Sequence, residues 1–362
     1  MFLQSKLDLL CQQIEVEKSM NRLTFIGSIQ LNSPSTGGGV QTKNQHFLRY
    51  ILSKNVDCRV FDTWKKKSVL SLIMSLIYIV RTKRSEPIIL SISTRGAYYI
   101  AKILNLTHLK RRIFYWVAGG DLAIDLKNVS LKNRRVYDVF TKVVVQCNYL
   151  KRDLEELSIT NCAMVPNFKP VIFKPTIDKA IFEKIRFVYF SRVLIQKGIE
   201  EIIQAFKSLG NKNICLDIYG TLVPPYDEGY FKDFYYLNIN YKGFLDVSVE
   251  DGYKQLSEYD VLLFPTYFKG EGFPGTLLDA FIAGVPVIAS DFHANGEVLV
   301  DGYNGLLIPP KDAVALSTAM NRLISDIDLR KKLRKNAILT ARKYDVEMIL
   351  DEAFARLKIF ED

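Results

Sequence analysis

Short apolar runs rich in β-branched residues alternate along this chain with stretches whose apolar positions recur every three to four residues. That alternation predicts parallel sheets covered by helices. In the first half the strand-like runs fall at 23–29, 59–61, 88–92, 113–117, 143–146 and 163–165. Pro166-Asn167-Phe168-Lys169-Pro170, with Pro175 following, then interrupts the pattern. It restarts with runs at 187–190, 215–219, 261–264, 285–289 and 306–308. Between the first two of these, a helix over 197–209 carries Ile199, Ile202, Ile203 and Phe206 at i, i+3, i+4 and i+7, a single apolar stripe. The expected architecture is therefore α/β, with doubly wound domains over 1–167 and 168–340 and a cleft between the carboxyl ends of their strands. A last helical pattern at 346–357 has no strand after it, so the segment 341–362 is expected to cross back to the first domain.

The most informative local stretch is Glu271-Gly272-Phe273-Pro274-Gly275-Thr276-Leu277-Leu278-Asp279-Ala280. Gly272, Pro274 and Gly275 disfavour helix interior, whereas Leu277, Leu278, Ala280 and Phe281 favour it, so a helix should begin near Gly275 or Thr276. Its first amides lack intrahelical partners, and the dipole makes that end attractive to an anion. Glu271 stays on the loop while Asp279 lies about one turn into the helix, so the two acids can flank a ligand. Gly284 should end the helix before a buried strand opened by Pro286. Read alone, an ordinary loop, helix and strand with solvated acids is the other reading of the segment.

Composition narrows the class. A chain of 362 residues with 48% hydrophobic content can bury two cores of ordinary size. Cys11, Cys58, Cys147, Cys162 and Cys215 are odd in number, widely spaced and without a CxxC pair, which argues against a disulfide framework or a zinc site and for a reducing cytosol. Residues 1–20 carry acids among their apolar positions and no cleavage pattern, so an amphipathic helix is expected there rather than a signal peptide. Charge is unevenly divided: residues 1–167 hold 25 lysines and arginines against 12 acids, and residues 168–362 hold 24 against 27. The basic half has no zinc finger, RNP motif or basic zipper, so nucleic acid is excluded as the expected partner and an anionic membrane surface is favoured. Trp64-Lys65-Lys66-Lys67 precedes thirteen uncharged residues, 68–80, and Arg81, Lys83 and Arg84 follow. That run is too short to span a bilayer, which needs about 20 residues. It reads either as an interfacial helix or as a core helix with solvated basic ends.

Two further constellations follow strand-like runs. Gly37, Gly38 and Gly39 let backbone approach a ligand closely, although the loop matches neither GxGxxG nor GxxxxGK[ST]; a plain flexible turn is the other reading. Arg192 and Lys197 lie five residues apart at a strand-to-helix junction, where both can reach a diphosphate or can simply be surface cations.

Taken together, these residues resemble the retaining nucleotide-sugar glycosyltransferases of family 4. The likeness covers nearly the whole chain and is strongest at 190–198, at 271–291 and at 301–309. It implies the GT-B fold, two facing Rossmann-like domains with parallel sheets and an interdomain cleft. It also implies that Arg192 and Lys197 bind the donor diphosphate, Glu271 the sugar hydroxyls and Asp279 the ribose. The segment of Gly272, Phe273, Pro274, Gly275 and Thr276 would line the sugar and phosphate through its backbone amides, with Gly38 and Gly39 closing over the phosphate. Glu271, Arg192 and Lys197 would carry catalysis by stabilising the leaving diphosphate, with no metal and no separate cofactor. The donor would be a nucleotide diphosphate sugar, a UDP-sugar above others, and the acceptor a lipid-linked or cell-surface polysaccharide. The expected location is cytoplasmic and peripheral on the inner face of the cell membrane.

The chain departs from that pattern twice. Asp279 stands where the family usually has glutamate, and Trp116-Val117-Ala118-Gly119-Gly120-Asp121 stands where many members carry a histidine. Asp121 either replaces that polar group or caps the following segment. The one Asp-x-Asp, Asp326-Ile327-Asp328, falls in a polar stretch and is expected to be solvated. A sugar-nucleotide 2-epimerase of similar architecture and a non-catalytic nucleotide-sugar-binding protein remain alternatives.

Overall fold

A computed structural model describes residues 21–30, 39–64, 68–177, 184–210 and 213–360. The chain divides into two compact units, one of residues 1–146, 150–165 and 350–362, the other of residues 147–149 and 166–349.

The first unit holds six parallel strands, β1 (Arg22–Gly27), β2 (Asp57–Asp62), β3 (Ile88–Ser91), β4 (Ile113–Trp116), β5 (Lys142–Val145) and β6 (Cys162–Met164), in the order β2-β1-β3-β4-β5-β6. β3 and β4 are buried along their whole length, as central parallel strands must be, whereas β2 at the edge is partly exposed. Helices Gly39–Ser53, Ser68–Arg81 and Thr94–Leu106 follow β1, β2 and β3. Asn44, on the first of these, donates to the Ser28 carbonyl at 3.0 Å and accepts from Ser91 Oγ at 2.7 Å. It thereby ties the exits of β1 and β3 together. The chain returns to this unit at Leu350. There Tyr50 donates to Asp351 at 2.7 Å and the Phe354 ring meets the Tyr50 ring edge-on at 5.4 Å.

The second unit holds β7 (Ile185–Phe190), β8 (Ile214–Tyr219), β9 (Ile239–Gly243), β10 (Val261–Phe264), β11 (Val287–Ser290) and β12 (Gly305–Ile308). Their order is β12-β11-β10-β7-β8-β9, all parallel. Counted within the unit this is the 3-2-1-4-5-6 Rossmann order, whose strand sequence reverses between β7 and β10. Ligands in such sheets bind beyond the carboxyl ends of the strands at that reversal. The core includes Phe187, Tyr189, Leu216 and Ile218 from the sheet and Ile199, Ile202, Ile203 and Phe206 from helix Ile199–Leu209. Each of those helix side chains stabilises by roughly 1.5–3 kcal/mol relative to exposure.

The apolar pattern missed one strand, β9. It is the sheet edge, and only Ile239 of its residues is buried, so Asn240 and Lys242 face outward and mask the periodicity.

A left-handed glycine sets the geometry at the reversal. Gly198 adopts φ +80° between the short 3-10 turn Ile195–Lys197 and helix Ile199–Leu209. A Cβ placed there would lie 2.3 Å from the Pro265 carbonyl oxygen, so the turn and the loop after β10 touch backbone to backbone. Tyr267 N donates to Gln196 O at 2.8 Å across the same contact. Gly198→Ala should therefore lower stability by at least about 2 kcal/mol, from left-handed strain plus overlap. A reduced urea midpoint at unchanged slope is the expected readout.

Candidate active site at the end of the second sheet

Two loops build the site, 191–198 after β7 and 265–274 after β10. Because β7 and β10 are neighbours, residues 74 apart in sequence are brought side by side. Lys197 is buried and its Nζ forms an ion pair with Glu271 Oε2, whose side chain is itself 13% exposed. Thr266, fully buried, donates from Oγ1 to the same oxygen at 3.3 Å. Thr266 Oγ1 also accepts from Phe268 N at 3.3 Å, and the Thr266 carbonyl accepts from Ser290 Oγ on β11. Glu271 is thus held by side chains that follow two strands, β7 and β10, and Ser290 on β11 braces the second of them. Its other oxygen, Oε1, has no hydrogen bond among the described residues.

Two cations share one aromatic ring here. The Arg192 guanidinium lies 5.7 Å and Lys197 Nζ 5.5 Å from the Phe268 ring centre, and Lys197 is also 5.1 Å from the Phe264 ring. Arg192 is exposed, with its carbonyl fixed by Tyr189 OH at 2.7 Å, so its fork is free to turn toward an incoming anion. Arg192, Lys197 and Glu271, expected from sequence to act together, are brought together.

Helix Gly275–Ile282 begins where the glycine and proline pattern put it, with Pro274 as its N-cap residue and no side-chain cap. The amides of Gly275 and Thr276 therefore precede the first intrahelical bond and carry the positive end of the dipole. Phe273 is buried, edge-on to the Tyr344 ring at 5.3 Å, and its carbonyl accepts from Asn167 Nδ2 at 3.4 Å. Gly272 lies half-buried on the loop. The helix stops at Ile282, and Gly284 follows at φ +69°, the left-handed C-terminal glycine its position predicted.

Asp279 has a partner no sequence pattern indicated. It is 3% exposed and accepts from Lys169 Nζ at 2.5 and 2.6 Å and from Tyr253 OH at 2.9 Å. Burial pushes its carboxyl above the ordinary aspartate range, with Lys169 and Tyr253 pulling it back. Three acceptor sites are occupied, which leaves one lone pair on Oδ2. Lys169 also runs beside Gly275: a Cβ on that glycine would be 3.8 Å from Lys169 Nζ. Lys169, Tyr253 and Thr266 are the site residues that sequence reasoning missed. The one available signal was a lysine between two prolines in the linker, two residues after Asn167.

The remaining candidates lie elsewhere. Gly38 falls outside the described residues, as do Gly37, Lys65, Lys66, Lys67, Cys11 and residues 1–20, and Gly39 is the exposed first residue of helix Gly39–Ser53. Trp116 is fully buried against the Phe47 ring at 4.6 Å, a core position. Asp121 precedes helix Leu122–Leu126 without a side-chain cap bond, which removes the capping alternative. Asp326 does more than sit in solvent: it caps helix Ile327–Arg342 by accepting from Leu329 N at 2.8 Å. Cys58, Cys147, Cys162 and Cys215 are free thiols. No helix among the described residues is long and apolar enough to cross a membrane.

Comparison with known proteins bears on the fold and the family likeness. Residues 175–340 match the family model described as Glycosyl transferases group 1. The capsular polysaccharide biosynthesis glycosyltransferase CapM of Staphylococcus aureus is 30% identical over 152 residues, 41% of this chain and 39% of that protein. The N,N'-diacetylbacillosaminyl-diphospho-undecaprenol alpha-1,3-N-acetylgalactosaminyltransferase of Campylobacter jejuni is 34% identical over 102 residues, 28% of this chain and 26% of that protein. These curated relatives are thus matched over less than half of their own length. Among solved structures, sucrose-phosphate synthase from Thermosynechococcus elongatus superposes with a TM-score of 0.72 at 16% identity, covering 93% of this chain and 99% of that one. HepE of Anabaena in complex with UDP-glucose superposes with a TM-score of 0.66 at 14% identity over the same shares. The chain therefore has the GT-B fold, and its residues 175–340 are similar to the glycosyl transferases group 1.

Proposed function

We propose that this chain is a retaining glycosyltransferase that moves a hexose-type sugar from a nucleotide diphosphate sugar, a UDP-sugar by preference, to a lipid-linked or cell-surface polysaccharide acceptor. The observation that carries the reading is the convergence of Lys197 and Arg192 with Glu271 and Phe268 on the loop that leads into the uncapped start of helix Gly275–Ile282. The names of the matched relatives, a capsular polysaccharide transferase and a transferase acting on an undecaprenol-linked sugar, support the acceptor class. HepE, which binds UDP-glucose, supports the donor. On this reading the protein works in the cytoplasm, peripherally bound to the inner face of the membrane.

As the bond from the anomeric carbon to the diphosphate loosens, negative charge builds on the leaving phosphate. The Lys197 ammonium and the amides of Gly275 and Thr276 are fixed before the reaction, the Arg192 guanidinium turns in from the surface, and together they stabilise that charge. The leaving phosphate takes the acceptor proton on the same face of the sugar, so configuration is retained and no base from the chain is needed. Glu271 offers Oε1 to the sugar hydroxyls while Lys197 and Thr266 hold Oε2. Asp279 offers its one spare lone pair to the ribose. These cations do the work that a divalent metal does in other transferases, so the rate should be indifferent to a chelator.

Nucleotide release from a panel of donors, with and without membrane extract as the acceptor source, tests the proposal. Acceptor-dependent release of UDP, unchanged by chelator and yielding a product of the donor's anomeric configuration, is the expected outcome. Donor binding without any release would replace the enzyme with a binding protein, and donor isomerisation without an acceptor would replace it with an epimerase.

A further inference from the structure

Helix Ser68–Arg81 follows the edge strand of the first unit and packs by one face only. Ser75 and Ile79 are fully buried, the Tyr78 ring lies tilted against the Phe61 ring at 5.5 Å and its hydroxyl donates to Glu86 at 2.8 Å, and Arg59 lies 4.5 Å over the Tyr78 ring. Arg111 closes the far end by donating to the carbonyls of Ile79 and Val80 at 2.8 and 2.6 Å. The helix is therefore firmly seated. Its opposite face is bare: Leu70 is 68% exposed, Ile73 48%, Met74 51%, Ile77 44% and Val80 45%.

Those five residues recur at i, i+3, i+4, i+7 and i+10, so they form one continuous stripe. Isolated exposed aliphatics need no explanation, but a contiguous stripe of five marks an interaction surface. Charge says what kind. Lys65, Lys66 and Lys67 precede the helix, Arg81, Lys83 and Arg84 end and follow it, and residues 63–85 contain no acid at all. Arg81, Lys83 and Arg84 are exposed. A second copy docked on the same face would set these like charges against each other, which disfavours self-association. At fourteen residues the helix is about 21 Å long, short of the roughly 30 Å of a bilayer core, so it cannot cross. An apolar stripe with exposed cations at its C-terminal end and three lysines just before it in sequence suits a helix lying in the interface of an anionic bilayer, aliphatic chains at the acyl boundary and cations at the phosphates.

We propose that helix Ser68–Arg81 is the membrane-docking face of this chain, laid flat on an anionic phospholipid bilayer through Leu70, Ile73, Met74, Ile77 and Val80. The purpose of that docking rests on the proposed transfer to a lipid-linked acceptor; the binding itself does not.

Flotation of the full chain with vesicles of equimolar phosphatidylglycerol and phosphatidylcholine, against phosphatidylcholine alone, tests it without any turnover. The chain should float with the anionic vesicles at low salt, remain unbound with phosphatidylcholine alone, and be largely released at high salt. Ile73→Ser with Ile77→Ser should weaken partitioning by about tenfold or more, and Lys83→Gln by about fivefold. Far-UV circular dichroism and UDP-sugar binding of both variants should match the unaltered chain. Absence of flotation, or equal flotation of the Ile73→Ser, Ile77→Ser variant, overturns the assignment. So does a lipid-free dimer that this variant dissociates, which would make a second copy the occupant. Donor turnover measured on the same preparation without vesicles keeps the two proposals apart, since lost flotation with intact transfer removes only this one.

Discussion

Lys197→Ala is expected to lower turnover by about 10²–10³, the cost of removing one fixed charge-stabilising donor, roughly 2.7–4 kcal/mol. On the proposed reaction the effect should fall on kcat more than on KM, because the negative charge of the bound diphosphate grows as the leaving group departs. The ammonium lies buried against Glu271 and between the Phe264 and Phe268 rings, and water cannot replace it readily. Arg192 is exposed beside the same Phe268 ring, so its removal should cost less. Steady-state nucleotide release measures both variants. A kcat for Lys197→Ala within threefold of the unaltered chain would show that the diphosphate does not sit where the two loops meet.

The second large effect concerns folding. Lys169→Ala leaves Asp279 buried with Tyr253 as its one remaining partner, and breaking a buried ion pair on one side typically costs about 3–5 kcal/mol. Urea unfolding should report a loss of that size. The pH dependence follows from sign. Burial raises the Asp279 carboxyl above its unfolded value, so between those two values the native state binds more protons than the unfolded one, and this group's contribution to stability falls as pH rises through the window. Without Lys169 the native carboxyl rises further. The deficit of the variant should therefore shrink as pH is lowered from neutrality into the acid side of that window. A deficit that widens toward acid would mean that Asp279 is not the group left uncompensated. Replacing Lys169 with methionine and Asp279 with leucine together should recover most of the loss, since neither charge then remains buried.

The Lys169 and Asp279 pair also bears on the ribose. The acid that sequence resemblance assigns to ribose binding reaches across 110 residues to a linker lysine. With three of its four acceptor sites in use, any ribose hydroxyl competes for the last one. Asp279 is one methylene shorter than the glutamate usual at this position, and the pairing draws its carboxylate toward the linker.

Much of this was legible in the chain itself, for local reasons. Eleven of the twelve strands among the described residues read as apolar runs, the eight central ones because parallel strands inside a sheet are buried on both faces and leave no polar alternation to confuse them. Gly275 and Gly284 marked the limits of their helix because glycine's backbone preferences act within a few residues of where it sits. The edge strand β9 was not legible, since a half-exposed strand has too weak an apolar signal. The placement of Arg192, Lys197 and Glu271 as candidates came from residue types at loop positions.

What tertiary structure alone decided is which groups meet. The reversal of strand order between β7 and β10 places Lys197 on Glu271 and sets Thr266 beneath them, and parallel pairing between distant strands leaves no trace in local sequence. Lys169 and Tyr253 found Asp279 for the same reason: a buried carboxylate needs partners, and folding supplies whichever donors the topology brings within reach. The helix Ser68–Arg81 shows the converse. Sequence defined its stripe and its flanking cations but left open which face would be covered. Packing against β2 chose the side of Ser75, Tyr78 and Ile79, and in doing so left the stripe of Leu70, Ile73, Met74 and Ile77 to solvent.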